Sequence, residues 1–463
     1  MALDVTLRGN NGVAVNADST YNAEQVVVKG IATANYTQSD FTLDSFQRLR
    51  TSEPRIQFEA SFSAQTPATA SSVWEATAVA SGTVALTGNL FGSILGTTTS
   101  ANSGYWIQAY NHVRYAPGIS TLFRGTFCFN TLLSGLTSRY GMFTDQGSFP
   151  STAGDGVFIE AAGSTISFVV RSMAAGAGSE VRTSQASWNL DKMDGTGASG
   201  VNLVWTNTQH VVIEYQWLGV GTIRFGFETG ALGTIWAHQV NAVNTATTSW
   251  SRTGSLPVRA ECFTTTTQAA PGTFTIINCT VIQEGDVADL RGWRYFSSNS
   301  GGTVRLGGTA LGLYPVMSLR AVSTNDLTKR TRFIPVSLSV TLAVVATGAT
   351  SVQVALLTFP TPNTGATFAV QPTGSGTTVD IAATATTAVT GTAIASWIIP
   401  NVVGTYTFDL SAMTDNQNVS GYNAAGSVSI TGSSVMTLAV GPMTGTASAG
   451  ATVAATINWK EIV

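Results

Sequence analysis

The run His210-Val-Val-Ile-Glu-Tyr-Gln-Trp217-Leu-Gly-Val-Gly221-Thr-Ile-Arg-Phe-Gly-Phe227 decides how this chain is read. Val211, Ile213, Tyr215 and Trp217 alternate with His210, Val212, Glu214 and Gln216, a two-residue period that places one large apolar set on one face of a strand. Gly219 and Gly221 let the chain reverse, and Ile223, Phe225 and Phe227 resume the alternation, so the segment predicts a β-hairpin with Glu214 and Arg224 on opposite arms as an ion pair.

Working outward, the same grammar recurs. Phe58, Ala60 and Phe62 alternate, as do Phe123, Gly125, Phe127 and Phe129, then Ile166, Phe168 and Val170. No strand–helix–strand alternation is present, which excludes a doubly wound parallel sheet. Residues 56–332 are therefore expected to form a large lectin-like or jelly-roll β-sandwich. Beyond Phe333 the charge nearly vanishes, leaving Asp380, Asp409, Asp415, Lys460 and Glu461. Residues 333–463 are expected to be a separate immunoglobulin-like or jelly-roll β-sandwich, whose last strand, with Val453, Ala455, Ile457 and Trp459 alternating, pairs inside its sheet. Residues 1–55 read as an extended arm that cannot bury itself, with turn chemistry at Asn10-Asn-Gly12 and Asn16 to Thr20. The expected class is all-β throughout.

Charged residues are 10% of the 463, while hydrophobic content is 44%. Gly, Ser, Thr, Ala and Asn fill the place of charge and leave a neutral, hydroxyl-rich surface. Ten Trp and 21 Phe exclude disorder. Net charge is −3, and only Lys29, Lys192, Lys329 and Lys460 are lysine; the remaining bases are arginine, spread singly and suited to buried pairing. The densest cluster, Lys329-Arg-Thr-Arg332, falls at the composition boundary, and nucleic-acid binding is not expected. The alternation in Val336 to Leu342 fits a strand and not a membrane span, and Met1 to Arg8 lacks the features of a signal peptide.

The residues that carry chemistry are sparse. Cys128, Cys262 and Cys279 are too far apart for a zinc motif and read as small buried hydrophobes, a Cys262–Cys279 disulfide being the alternative. His112, His210 and His238 show no metal-ligand spacing, and no nucleophile elbow is present. Asp191-Lys-Met-Asp194-Gly195-Thr-Gly197 offers acids beside a glycine turn, but lacks the alternate ligands and distant acid of a calcium loop; an Asx-type turn is the stronger reading. Glycoside hydrolysis needs two carboxylates facing one cleft. Glu160, Glu214, Glu228 and Glu261 each stand alone on their strands. No catalytic, cofactor or metal site is therefore expected. Trp236, His238, Trp293 and Tyr295 are the candidates for stacking on a sugar, with core packing as the competing fate.

Leu43-Asp-Ser-Phe46-Gln-Arg48-Leu-Arg50-Thr-Ser-Glu-Pro54, Trp188-Asn-Leu-Asp191-Lys-Met-Asp194-Gly-Thr-Gly197 and Trp217 to Phe227 carry a resemblance. Together with Leu313 to Arg320 and Arg332 to Leu338 they resemble a family of structural proteins of tailed bacteriophage particles, with DxFGRLR, WNxDKxDGxG and WxGVGxxRFGF segments; Gln47 stands where that family has glycine. The resemblance implies a virion protein, non-enzymatic, held by contacts with other virion proteins. A homo-oligomer is expected, with Phe46, Arg48, Arg50 and Arg55 as assembly contacts. The second reading is an adsorption protein, a fibre or spike element that binds a host surface glycan. A glycan-cleaving enzyme is the third.

Overall fold

A computed structural model describes residues 54–68, 73–145, 149–150, 153–230, 232–284, 293–298, 304–305, 312–321, 332–345, 348–361, 369–370, 377–380, 389–410, 419–420, 435–443 and 451–462. Among them the only helical element is the 3-10 turn Gln185–Ser187, and every other element is a strand.

Fifteen strands build the first pair of sheets. The chain runs through β1 (Pro54–Ser61), β2 (Trp74–Val79), β3 (Thr83–Leu86), β4 (Ser93–Gly96) and β5 (Gly104–Val113). It continues with β6 (Thr121–Cys128), β7 (Leu136–Phe143), β8 (Gly156–Ala162), β9 (Thr165–Ser172) and β10 (Ser179–Ser184). The set closes with β11 (Gln209–Tyr215), β12 (Ile223–Glu228), β13 (Thr234–Val240), β14 (Leu256–Thr264) and β15 (Thr273–Glu284). One sheet has the order β13-β12-β11-β6-β15-β4-β3, with β1 also on β15; its partner has the order β10-β9-β8-β7-β14-β5-β2. Every pairing is antiparallel.

The hairpin read from the sequence is β11–β12, with Val211 opposite Phe227, Ile213 opposite Phe225 and Glu214 opposite Arg224. Leu218 and Gly219 take positive φ, and the Gly221 amide donates to the Trp217 carbonyl at 2.7 Å to close the turn. The alternating set Val211, Ile213, Tyr215, Ile223, Phe225 and Phe227 joins one core with Tyr140, Met142, Val258 and Ala260 of the facing sheet. Phe123 meets Tyr140 edge-on at 5.3 Å across that core. Burying one such side chain stabilises the fold by about 1.5–3 kcal/mol. The result is a two-sheet sandwich.

The remaining strands are β16 (Trp293–Ser298), β17 (Val304–Arg305), β18 (Tyr314–Ala321), β19 (Arg332–Val344), β20 (Ser351–Thr361) and β21 (Ala369–Val370). After them come β22 (Thr377–Asp380), β23 (Thr390–Pro400), β24 (Gly404–Asp409), β25 (Val419–Ser420), β26 (Val435–Pro442) and β27 (Thr452–Ile462). They form the orders β16-β27-β19-β24 and β21-β22-β18-β26-β20-β23, with β17 on β27 and β25 on β19. Leu338, Val340, Ile457 and Trp459 of one sheet share a core with Val352, Val354, Leu438 and Val440 of the other. The last strand lies between β16 and β19, inside its sheet as its alternation predicts.

Strand pairing divides the chain at a different place from composition. β16, β17 and β18 precede residue 332, yet among the described residues they pair only with later strands, Trp293 lying opposite Glu461 and Tyr295 opposite Trp459. The break between sheet sets falls between Glu284 and Trp293, whereas the charge falls away only after Arg332. At the other end, Pro54 and Arg55, counted with the arm, belong to β1, where Arg55 pairs with Gln283.

Candidate functional site

Neighbouring strands of one sheet bring four carboxylates of the first sandwich together on the face that turns away from the core. Register places Trp106, Glu261, Arg139 and Glu160 side by side across β5, β14, β7 and β8. The next rows add Gln108 beside Arg259, then Arg171 beside Glu180 on β9 and β10. Arg139 Nε donates to Glu160 Oε2 at 2.8 Å, and its Nη1 to Glu261 Oε2 at 3.2 Å. Arg182 Nε donates to the other Glu160 oxygen at 2.7 Å and also pairs with Glu180. Arg171 Nε reaches Glu180 Oε1 at 2.8 Å, while Arg259 bonds Glu261, Gln108 and, at 3.3 Å, Asp145.

Four guanidiniums thus meet four carboxylates, Glu160, Glu180, Glu261 and Asp145. Aromatic rings close the gaps: the Arg259 guanidinium stands 4.4 Å from the Trp106 ring, Arg139 5.0 Å from Phe263 and Arg171 5.1 Å from Phe158. Arg171, Arg259 and Glu261 are at most 1% exposed. Burial pushes the Glu261 carboxyl up, but Arg259, Arg139 and Arg171 pull it further down, to below the usual carboxylate range. The same balance, set by Arg171, Arg139 and Arg182, lowers Glu180. Burial pulls the Arg139 guanidinium down, and the charges of Glu261, Glu160 and Glu180 outweigh it and raise it. Glu180, Glu261 and Arg139 are thus held charged, whereas burial and the neighbouring Arg139 lower the Arg171 guanidinium. Such an array fixes strand register through paired charge, and it leaves each carboxylate occupied.

Sequence reading misses this cluster because each acid is solitary on its own strand. The available signal is opposite charge at two-residue spacing, Glu180-Val-Arg182 and Arg259-Ala-Glu261, which puts a pair on one strand face.

The predicted Glu214–Arg224 ion pair forms on β11 and β12, with both side chains buried. Arg224 also covers the Trp236 ring at 4.4 Å. Trp236 is half-buried and His238 buried, the latter stacked on Phe225. Burial pushes the His238 imidazole pKa down. Trp293 and Tyr295 sit on β16 in a different sheet from Trp236 and His238, so the four sugar-stacking candidates do not share a strand ladder. Phe46, Arg48 and Arg50 lie outside the described residues.

Asp191 and Asp194 are engaged by the turn itself. Asp191 Oδ1 accepts the Met193 amide at 2.8 Å and Oδ2 the Ser199 amide at 2.7 Å, while Asp194 Oδ1 accepts the Thr196 amide at 2.9 Å. This is the Asx-type turn. Gly197 is required there, since a Cβ would lie 2.0 Å from Asp191 Oδ1. Among the described residues no group of three His, Cys, Asp or Glu is placed to hold a metal ion.

Cys128, Cys262 and Cys279 are buried free thiols, so the alternative Cys262–Cys279 disulfide does not form. Burial pushes the Cys262 and Cys279 thiols up to about 12, far from the thiolate form that reacts. A separate bowl of about 410 Å³ opens where the β6–β7, β8–β9 and β14–β15 connections converge, lined by Ser134, Thr137, Ser164 and Thr265 among others. Its lining side chains carry no charge. Among the described residues no helix is long and apolar enough to cross a membrane.

No family model matches the chain, and no curated protein matches it. Among solved structures, the chain is similar to a β-glucanase of Bacillus licheniformis at 13% identity, covering 50% of this chain and 98% of that one, with a TM-score of 0.30. A carbohydrate esterase from the Shiga toxin-encoding bacteriophage phi24B aligns at 8% identity, covering 50% and 100%, with a TM-score of 0.29. A legume lectin-like domain from Entamoeba histolytica aligns at 8% identity, covering 48% and 95%, with a TM-score of 0.27. What the sheets themselves establish is the class: an all-β chain of antiparallel, sandwich-forming sheets.

Proposed function

We propose that this chain is a non-enzymatic structural component of a tailed-bacteriophage particle, exposed on head, neck or tail and held by protein–protein contacts. One observation carries the reading: the residues of the phage-like segments are used to build the fold. Trp188 is stacked in the core, Asp191 ties the turn, Arg224 neutralises Glu214, and Phe225 and Phe227 fill the sandwich. The clustered acids argue the same way. A glycosidase needs a general acid whose pKa is raised, and Glu180 and Glu261 are shifted in the opposite direction.

Mass spectrometry and immunogold labelling of purified particles test the proposal. The expected result is stoichiometric recovery of the chain with intact particles; a chain found only in the lysate overturns it. Removal of residues 1–53, which leaves β1 whole, is expected to give a folded protein that no longer joins the particle. Normal incorporation of the truncated chain would count against an anchoring arm.

The bowl at Thr137 favours a second reading, a host-glycan-binding adsorption protein, because uncharged hydroxyl groups suit a neutral sugar. A glycan array with the purified chain separates the two. Concentration-dependent binding that falls on Thr137→Val supports adsorption, and a blank array leaves the structural role alone.

A further inference from the structure

The bowl at the end of the first sandwich has walls that are tied to one another. Gly135 and Gly163 take positive φ, 81° and 59°, which lets the β6–β7 and β8–β9 connections turn tightly beside it. The Gly163 amide donates to the Leu136 carbonyl at 2.8 Å, and the Thr265 amide donates to the Gly135 carbonyl at 2.8 Å. Both neighbouring connections are thereby fastened to β6–β7. A site held in shape in this way loses little freedom when a ligand enters.

The lining divides into two chemistries. Ser134, Thr137, Ser164 and Thr265 bring hydroxyl groups, while the half-buried Leu132 and the exposed Ala162 bring aliphatic surface. The hydroxyls are not equivalent. Thr265 Oγ1 already donates to the Gly135 carbonyl at 3.2 Å, so toward a ligand it can only accept. A serine hydroxyl can rotate to donate or to accept. The bowl therefore asks its ligand for a polar hydrogen, an acceptor and a small apolar group, all without charge. Its volume of about 410 Å³ lies at the small end of the roughly 300–1,000 Å³ of small-molecule sites, which suits a short saccharide and not a long chain.

We propose that the bowl takes an N-acetylated hexosamine unit. The acetamido group joins an N–H donor, a carbonyl acceptor and a methyl in one neutral sugar substituent. Its N–H suits the Thr265 oxygen, its carbonyl the rotatable hydroxyls of Ser134 and Ser164, and its methyl the aliphatic side at Leu132 and Ala162. A plain hexose leaves the aliphatic side against water, and a 6-deoxy sugar brings a methyl without the amide. The inference rests on the second reading, in which the bowl binds a neutral sugar, and specifies which one.

Titration of the full chain with N-acetylglucosamine, glucose and fucose, read by saturation-transfer NMR, tests the assignment. N-acetylglucosamine should bind about tenfold or more tightly than either of the others, the usual discrimination for a seated methyl-sized group, with the strongest transfer to its acetyl methyl. Ala162→Phe fills the bowl from an exposed position and should weaken that binding about tenfold or more. Val181→Lys, 66% exposed on β10, should leave it unchanged. The comparison of sugars uses the native chain and does not depend on how the variants fold. Glucose or fucose binding as tightly as N-acetylglucosamine overturns the assignment and leaves the glycan reading standing. Equal binding by the folded Ala162→Phe variant does the same, because the sugar then sits elsewhere. Failure to bind N-acetylglucosamine beside a positive glycan array overturns the assignment alone, and failure beside a blank array overturns both.

Discussion

Arg139→Ala is expected to destabilise the first sandwich by about 3–5 kcal/mol, because it strips the shared cation from carboxylates that have no route to water. Arg139 bridges Glu160 and Glu261 and lies 3.8 Å from Glu180. Its removal leaves Glu261 bonded to Arg259, in a site 1% exposed. Against a typical domain stability of about 5–15 kcal/mol the loss is large. Arg182→Ala should cost much less, since Arg182 is 41% exposed and Glu160 and Glu180 keep Arg139 and Arg171 as partners without it. Urea unfolding followed by tryptophan fluorescence reads both variants. A change below about 1 kcal/mol for Arg139→Ala would mean that the array does not share its charge in the way its geometry implies.

The same array gives an acid limb with a definite sign. Glu180 and Glu261 have folded-state pKa values below the ordinary 4.5. Their stabilisation is therefore complete above the ordinary value and is lost as pH falls through the depressed values, where the folded state must take up protons that the unfolded state already holds. In Arg139→Ala the depression shrinks, and the loss of stability with acid should become shallower in that window.

How much of this is legible in the sequence depends on the range of the interaction. The β11–β12 hairpin is readable because its period, its turn glycines and its Glu214–Arg224 pair all lie within twenty residues. The Asp191 turn is readable for the same reason, since the side chain bonds amides two and eight residues onward. The Glu160–Arg139–Glu261 row is not, because β14 joins it from 122 residues beyond Arg139 and no single strand shows more than one acid from it. Composition misplaces the division between sheet sets for a related reason: Trp293-Arg-Tyr295 carries charge like the preceding residues, but β27 supplies its hydrogen bonds. Trp236 reads as a stacking platform from its residue type alone, and the guanidinium over its ring comes from a neighbouring strand.

Trp188→Ala is expected to cost about 3–5 kcal/mol, the range for deleting a buried indole from a packed core. Trp188 is 3% exposed and belongs to a run of rings: it stacks on Phe168 at 4.4 Å, Phe168 stacks on Phe225 at 4.5 Å, and Trp205 meets Trp188 edge-on at 6.2 Å. The loop from Gln185 to Trp205 hangs on that run. Gln185 Oε1 accepts the Trp205 indole N–H at 2.9 Å, and its amide donates to the Lys192 and Met193 carbonyls. The loss should therefore be local as well as global, with the Met193 and Ser199 amides, now held by Asp191, exchanging with solvent faster than strand amides of β7. Trp188→Phe keeps the stack but drops the bond from the indole N–H to the Thr183 carbonyl, and should cost about 1 kcal/mol for that bond plus part of the lost ring volume. Hydrogen exchange with chemical denaturation measures both quantities. Equal stability of the alanine and phenylalanine variants would show that the ring run does not hold the loop.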